Sequence, residues 1–184
     1  FTAKRPNHVW HIDLTAVPTG GGFWTPWVPL TLLQCWPFCW WLAVTADHFS
    51  RRIMGVAVFK QRPTSIQVRA FRGRLCGKAK PRYIICDKGS QFWCNGFKAW
   101  CKRKDIRPRF RAVGKCGSIA VIERFILSLK SEGLRRILVP VRKKAFRQDV
   151  QSYVDWYNSN RPHTALQGRT PNEAYRRTAP ANRR

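Results

Sequence analysis

Carboxylates are scarce in this chain. Nine Asp and Glu stand against 35 Lys and Arg in 184 residues, a formal net charge of +26. A domain this small with that imbalance repels itself, so a polyanionic partner is its simplest complement and nucleic acid the first candidate; a solvated basic face is the bland alternative. Long apolar runs are also missing. No stretch of about 18 apolar residues occurs, which argues against a membrane span. The richest segment, 22–44, is broken by Thr25, Pro26, Pro29, Thr31, Gln34 and Pro37 and reads as an apolar insertion of about 19–39 packed on a core. No CxxC pair is present among the seven cysteines at 35, 39, 76, 86, 94, 101 and 116, so zinc is poorly supported and reduced, mostly buried thiols are expected. No secretory leader, internal repeat or low-complexity linker is recognisable.

What is present is enough for one domain with a sizeable core, rich in aromatics, with 9 Trp, 11 Phe and 4 Tyr. Residues 9–15, 40–46 and 53–59 read as three strands, the last two joined by a turn at Ser50-Arg51-Arg52. Thr64 with Gln67 has the form of a capping box, opening a helix with Val68, Phe71 and Leu75 on one face and Gly77 at its end. Tyr83–Cys86 reads as a short buried strand. Ser90 precedes a helix carrying Trp93, Phe97, Trp100 and Cys101, aromatics whose spacing suits core packing better than base stacking. Residues 107–113 read as a fifth strand, 114–117 as a flexible loop, and about 143–158 as a helix with Phe146, Val150, Tyr153, Val154 and Tyr157 on one face. The order β-β-β-α-β-α-β-α-α predicts an α/β fold, a mixed five-stranded sheet with helices on both faces. Basic residues cluster at 69–74, 102–111 and 142–147, as on a folded surface, and 176–184 reads as a mobile basic end after a core of 1–175.

Against that basic background three acids stand in apolar settings. Asp13 lies inside Val9-Trp10-His11-Ile12-Asp13-Leu14-Thr15, Asp87 ends Tyr83-Ile84-Ile85-Cys86-Asp87, and Glu123 follows Ala120-Val121-Ile122. A carboxylate among apolar neighbours is costly unless paired or bound to a cation. Each alone has an ordinary reading: a salt-bridged core acid, a turn former, a helix-surface residue. Together they suggest a divalent-cation site. Asp47 is the runner-up carboxylate and is assigned a structural role. Lys130, two helical turns beyond Glu123, returns to nearly the same face, where it suits a DNA phosphate or, equally, solvent. Arg124 points about 100° away and is the weaker candidate.

These words resemble the integrase core of the DDE transposase and retroviral integrase superfamily, an RNase H-like fold. The resemblance rests on His11-Ile12-Asp13-Leu14-Thr15, Asp47-His48-Phe49-Ser50-Arg51-Arg52 and Cys86-Asp87-Lys88-Gly89-Ser90-Gln91-Phe92. It continues in Gly117–Phe125, Ser128-Leu129-Lys130-Ser131-Glu132 and Tyr157-Asn158-Ser159-Asn160-Arg161-Pro162-His163-Thr164-Ala165-Leu166, the last resembling the end of bacterial insertion-sequence transposases. The words fall in the family's order over about 6–175, with 35 residues between Asp87 and Glu123. The family's usual DNA-binding module ahead of the core is not seen, so the chain reads as a single domain or a piece of a larger protein. Lys88 stands where many members carry Asn.

The resemblance implies that Asp13, Asp87 and Glu123 are the catalytic and metal-binding triad, holding two Mg2+ ions with Mn2+ as a possible substitute. Lys130, Arg124, Lys88 and Ser90 are then the candidate DNA contacts. Activation of an attacking oxygen and stabilisation of a leaving one by two metals suits phosphodiester cleavage. His163 is expected to be structural. The implied function is DNA strand transfer on element ends and target DNA by a homo-oligomer in the bacterial cytoplasm, associated with the nucleoid and not with a membrane. Two rivals remain: a catalytically inactive basic DNA-binding protein derived from such a core, and a nuclease that only hydrolyses.

Overall fold

The structure, a computed structural model, describes residues 3–19, 39–77, 79–87, 89, 91–110, 120–134 and 139–181. Five strands form one sheet: β1 (Val9–Pro18), β2 (Cys39–Asp47), β3 (Ile53–Phe59), β4 (Tyr83–Cys86) and β5 (Arg107–Phe110), in the order β3-β2-β1-β4-β5. β1, β2 and β3 pair antiparallel, while β1, β4 and β5 run parallel, so the sheet is mixed as expected. The helices are α1 (Ser65–Cys76), α2 (Asn95–Arg103), α3 (Ala120–Ser128), α4 (Lys143–Ser159) and α5 (Pro171–Arg176). A π-helical turn, Leu129–Leu134, continues directly from α3, and a 3-10 turn spans Thr164–Leu166.

Strand alternation divides the core into two layers. Val9 and Val17 of β1, with Ile85 of β4, pack against Ile122, Phe125 and Ile126 of α3 and Phe146, Val150, Val154 and Tyr157 of α4. Trp10 and Ile12, with Ile84 and Cys86, pack on the other side against Val68 of α1 and Phe97, Trp100 and Cys101 of α2. Because side chains alternate along a strand, odd-numbered β1 positions face α3 and even-numbered ones face α1 and α2. Each fully buried Ile, Leu or Phe in these layers stabilises the fold by about 1.5–3 kcal/mol relative to exposure.

Local chemistry sets the helix bounds. The Thr64–Gln67 capping box opens α1, and a second box, Thr170 with Glu173, opens α5. Gly77 closes α1 in a right-handed conformation, φ −70°, so its glycine character is not what ends the helix. The helix after β4 begins at Asn95 with Cys94 as its cap, not at Ser90; Trp93 therefore precedes it. Trp93 is 49% exposed and packs edge-on against Phe110, whereas Phe97 and Trp100 are buried as expected. The insertion at 20–38, the loop at 114–117, residues 111–113 of the expected fifth strand, and Lys88 and Ser90 lie outside the described residues. Among the described residues Cys76, Cys86, Cys94 and Cys101 are free thiols. No described helix is long and apolar enough to cross a membrane.

Candidate active site

Asp13 and Asp87 meet because of strand register. β1 and β4 are parallel with His11 opposite Ile85, and each acid lies two residues further along its chain. A step of two preserves the face, so both carboxylates turn to the α3 side. The Leu14 N–H donates to Asp13 Oδ1 at 2.8 Å, and the Gly89 N–H donates to Asp87 Oδ1 at 3.1 Å, fixing each carboxylate from its own backbone. A Cβ at position 89 would come within 3.0 Å of that Asp87 oxygen and 2.4 Å of the buried Gln91 amide, so a larger residue there would push on both side chains.

Glu123 sits in the first turn of α3, exposed, on the helix that covers this face of the sheet. Burial pushes the Asp13 carboxyl up to about 6; the Leu14 N–H opposes the shift, the charges of Asp87 and Glu123 add to it, and Lys130 draws it down. One neighbourhood therefore holds the three predicted acids and the predicted lysine. Burial lowers Lys130 to about 8 even though Asp13 favours its charged form. Among the described residues no three His, Cys, Asp or Glu side chains are drawn together as a closed metal-binding group. The donor set is nonetheless all oxygen and anionic, with one member desolvated, which is the chemistry a hard divalent cation takes.

The π-helical turn positions Lys130. Ser131 Oγ donates to the Leu127 carbonyl at 2.8 Å, a back-bond of the kind that bends helices. Glu132 accepts from Tyr153 Oη at 3.2 Å and from Arg161, tying the turn to α4 and the chain beyond it. Gly133 lies against the Tyr153 ring, which a Cβ would approach to 2.7 Å. π-bulges often mark functional sites because the widened turn re-aims a side chain. Here the side chain set near Asp13 is Lys130. Arg124 is exposed, and its charge reaches the Tyr157 hydroxyl.

Other motif residues are structural. Asp47 is buried and accepts from the Asn7 N–H at 2.8 Å, the Ser50 N–H at 2.9 Å and Ser50 Oγ at 2.7 Å, so it ties the β2–β3 turn to the lead into β1. His163 packs edge-on against Tyr157 at 5.0 Å. One contact has no signal in the sequence: His11 Nε2 lies 2.6 Å from His48 Nδ1. Burial, the neighbouring histidine and Arg51 hold His11 down at about 3, and burial with Arg51 holds His48 at about 4. Both rings are neutral at pH 7 and add no positive charge beside the acids. The alternation that puts His11 on the face of Asp13 is readable in the sequence; its partner 37 residues away is not.

A family model described as an integrase core domain matches residues 3–116, and a second of the same description matches 104–171. The chain belongs to the integrase core domain family. Among curated relatives it is 28% identical over 177 residues to the transposase for insertion sequence element IS904 of Lactococcus lactis, covering 94% of this chain and 63% of that protein. It is 27% identical over 176 residues to transposase InsF for insertion sequence IS3A of Escherichia coli K12, covering 94% of this chain and 55% of that one. The chain thus spans a little over half the length of these relatives. Among solved structures it resembles the HTLV-2 integrase catalytic core domain in complex with magnesium, TM-score 0.68 at 19% identity, covering 95% of this chain and 99% of that one. It also resembles the BIV integrase catalytic core domain, TM-score 0.64 at 18% identity, covering 93% and 95%. At these identities the likeness concerns the fold, which is the RNase H-like fold of integrase catalytic cores.

Proposed function

We propose that this integrase core is the catalytic core of a DDE-type DNA transposase, a polynucleotidyl transferase. The observation that carries the reading is the convergence of the Asp87 and Glu123 charges on Asp13, with Lys130 beside them. On this reading the core hydrolyses a phosphodiester at an element end to free a 3′-hydroxyl, which then attacks target DNA. Asp13, Asp87 and Glu123 would hold Mg2+, taken as two ions with Mn2+ as a substitute. Bound metal supplies Lewis-acid activation of the attacking oxygen and charge stabilisation of the leaving one.

The chain's own residues do the rest. Leu14 and Gly89 N–H groups hold the Asp13 and Asp87 carboxylates in place, so ligand geometry is set before substrate arrives. Lys130 offers a cation next to Asp13, suited to a non-bridging phosphate oxygen. Arg124, Lys88 and Ser90 are proposed as outer DNA contacts. The +26 charge favours DNA over other partners and fits work at the bacterial nucleoid, with a homo-oligomer assembling on element ends and target. A divalent-metal-dependent cleavage and joining assay on matched DNA ends tests the proposal. Cleavage and joining by the wild type, both lost in Asp13→Asn with DNA affinity kept, is the expected result. Cleavage without joining would point to a nuclease, and DNA binding without either to an inactive DNA-binding derivative.

A further inference from the structure

We propose that a basic cleft at the end of the sheet remote from the acids is a second DNA-backbone site, taking phosphodiester groups away from the reacting phosphate. This rests on the reading of the chain as a DNA-acting core. The cleft has a volume of about 480 Å³ and is lined by Arg5, Lys80, Arg82 and Arg107, with Asp105 the one acid among its described lining residues. It opens where the parallel strands β1, β4 and β5 begin, whereas Asp87 follows the opposite end of β4. Asp87 is five positions beyond Arg82, so at a strand rise of about 3.3 Å per residue the two sites lie roughly 16 Å apart. A phosphate in one cannot be the phosphate in the other.

The cleft is built on a fixed floor. Asn7 donates its N–H to Asp47 Oδ1 at 2.8 Å and its amide Nδ2 to Tyr175 Oη at 2.8 Å, and its Oδ1 accepts from Trp10 Nε1 at 3.0 Å. The Arg82 N–H donates to the Asn7 carbonyl at 3.2 Å and the Arg107 N–H to the Arg82 carbonyl at 3.0 Å, so the three lining segments are laced together. Lys80 pairs with Asp105 at 3.4 Å, but their side chains are 51% and 90% exposed. An ion pair that exposed is worth little, and among the described residues no ion pair engages Arg5, Arg82 or Arg107. Guanidinium groups match the paired oxygens of phosphates bidentately, which suits an array of phosphodiester groups.

The edge strand beside the cleft argues against a peptide. β5 is the sheet's outer strand on this side, yet Pro108 lacks an N–H and Arg107 and Arg109 flank it. A Pro between charges is how an edge is blunted against strand addition. Phosphate could come from DNA or from a free polyphosphate. DNA is favoured because the same exposed charge continues along β5 through Arg109, beyond what a small anion in the cleft would need.

The test uses the full chain and fluorescence anisotropy on a labelled long duplex, read as the slope of log affinity against log salt between about 50 and 200 mM. Substituting Arg5→Gln, Arg82→Gln and Arg107→Gln together is expected to lower that slope by roughly 3, about one per lost phosphate contact. A matched triple removal on another exposed stretch, Arg142→Gln, Lys143→Gln and Lys144→Gln, should lower it by less than about one. The lysine triple Arg5→Lys, Arg82→Lys and Arg107→Lys retains the charge and should retain the slope. Equal slopes in wild type and cleft variant, equal losses in both glutamine triples, or a lysine triple no better than glutamine would overturn the inference. Tripolyphosphate bound by wild type and not by the variant, with the DNA slope unchanged, would make this a small-anion site and overturn it equally. Cleavage that survives Asp13→Asn sinks the reading of the acids but leaves the slope comparison intact, so the two failures are distinguishable.

Discussion

Lys130 and Asp13 are both partly desolvated and lie close enough for each to favour the other's charged form. Burial is the larger influence on both, so Asp13 is held up at about 6 and Lys130 down at about 8. Two elements make the meeting: an odd-numbered β1 position faces α3, and the π-helical turn after α3 carries Lys130. In metal-free protein, Lys130→Met removes the cation that draws Asp13 down. The Asp13 titration should then move above about 6. Carbonyl NMR of Asp13 against pH checks this; an unmoved titration would show that the two groups do not interact.

Asp13 also makes a prediction about stability. Its folded pKa of about 6 lies above the ordinary value of 3.8, so the native state binds the proton more tightly than the unfolded chain. Stability from this group is present at low pH and is lost as pH rises from about 4 to 6. Above that window the metal-free protein carries a penalty that Asp13→Asn removes, on the order of 2 kcal/mol. Chemical denaturation in chelator at about pH 7.5 and about pH 3, each about a unit or more outside that window, should show the variant's gain only at the higher pH. A gain of equal size at both would refute the ionisation argument.

Gly133→Ala should loosen the turn that carries Lys130. The added Cβ would sit 2.7 Å from the Tyr153 ring, whose hydroxyl is already engaged by Glu132, so the ring has little freedom to yield. A loss of about 1–3 kcal/mol is expected. Thermal unfolding of Gly133→Ala beside Gly73→Ala, a glycine with nothing within 4 Å of its added Cβ, separates the clash from a general glycine effect. Equal effects would place the cause in backbone entropy.

Arg72 is a charged group buried at high cost. It is 1% exposed, its three guanidinium nitrogens find no hydrogen-bond partner among the described residues, and its charge rests over Phe97 at 4.9 Å and Trp100 at 5.2 Å. Cation–π contact returns about 2 kcal/mol where desolvated, less than the several kcal/mol of burying the ion. Arg72→Met should therefore be neutral or stabilising by about 1–4 kcal/mol. A large loss of stability in denaturant titration would mean that the guanidinium has a compensating partner.

Asn158 holds the edge strand to the helix layer. Its Oδ1 accepts from the Ile53 N–H at 2.9 Å and its Nδ2 donates to the Ile53 carbonyl at 3.0 Å, both buried. Asn158→Ala leaves two backbone groups unsatisfied at about 1–3 kcal/mol each. Hydrogen exchange at the Ile53 amide should accelerate more than exchange across β1. Unchanged protection at Ile53 would show that the strand is anchored elsewhere.

Much of this protein is written in its sequence. Short apolar and β-branched runs mark β1 to β4, with β3 and β4 at their observed bounds, because a strand covered on both faces reads as a brief, nearly continuous apolar run. The capping box at Thr64 and Gln67 marks the start of α1 for the same local reason: its donors and acceptors are three residues apart. The scarcity of acids made Asp13, Asp87 and Glu123 stand out, and their order carried the family resemblance. Local signals failed where the determinant is distant. Ser90 looked like a helix cap, yet the helix waits until Asn95. The continuation of α3 as a π-turn depends on Gly133 fitting under Tyr153, a residue of another helix. Only tertiary structure placed His11 against His48, Glu132 against Arg161, and three arginines from separate segments around one cleft. The physical reason is common to all of these. Periodicity and caps are set by neighbours within a turn or a pleat, whereas a side chain's charge state and partners are set by whatever the folded sheet and its helices bring beside it.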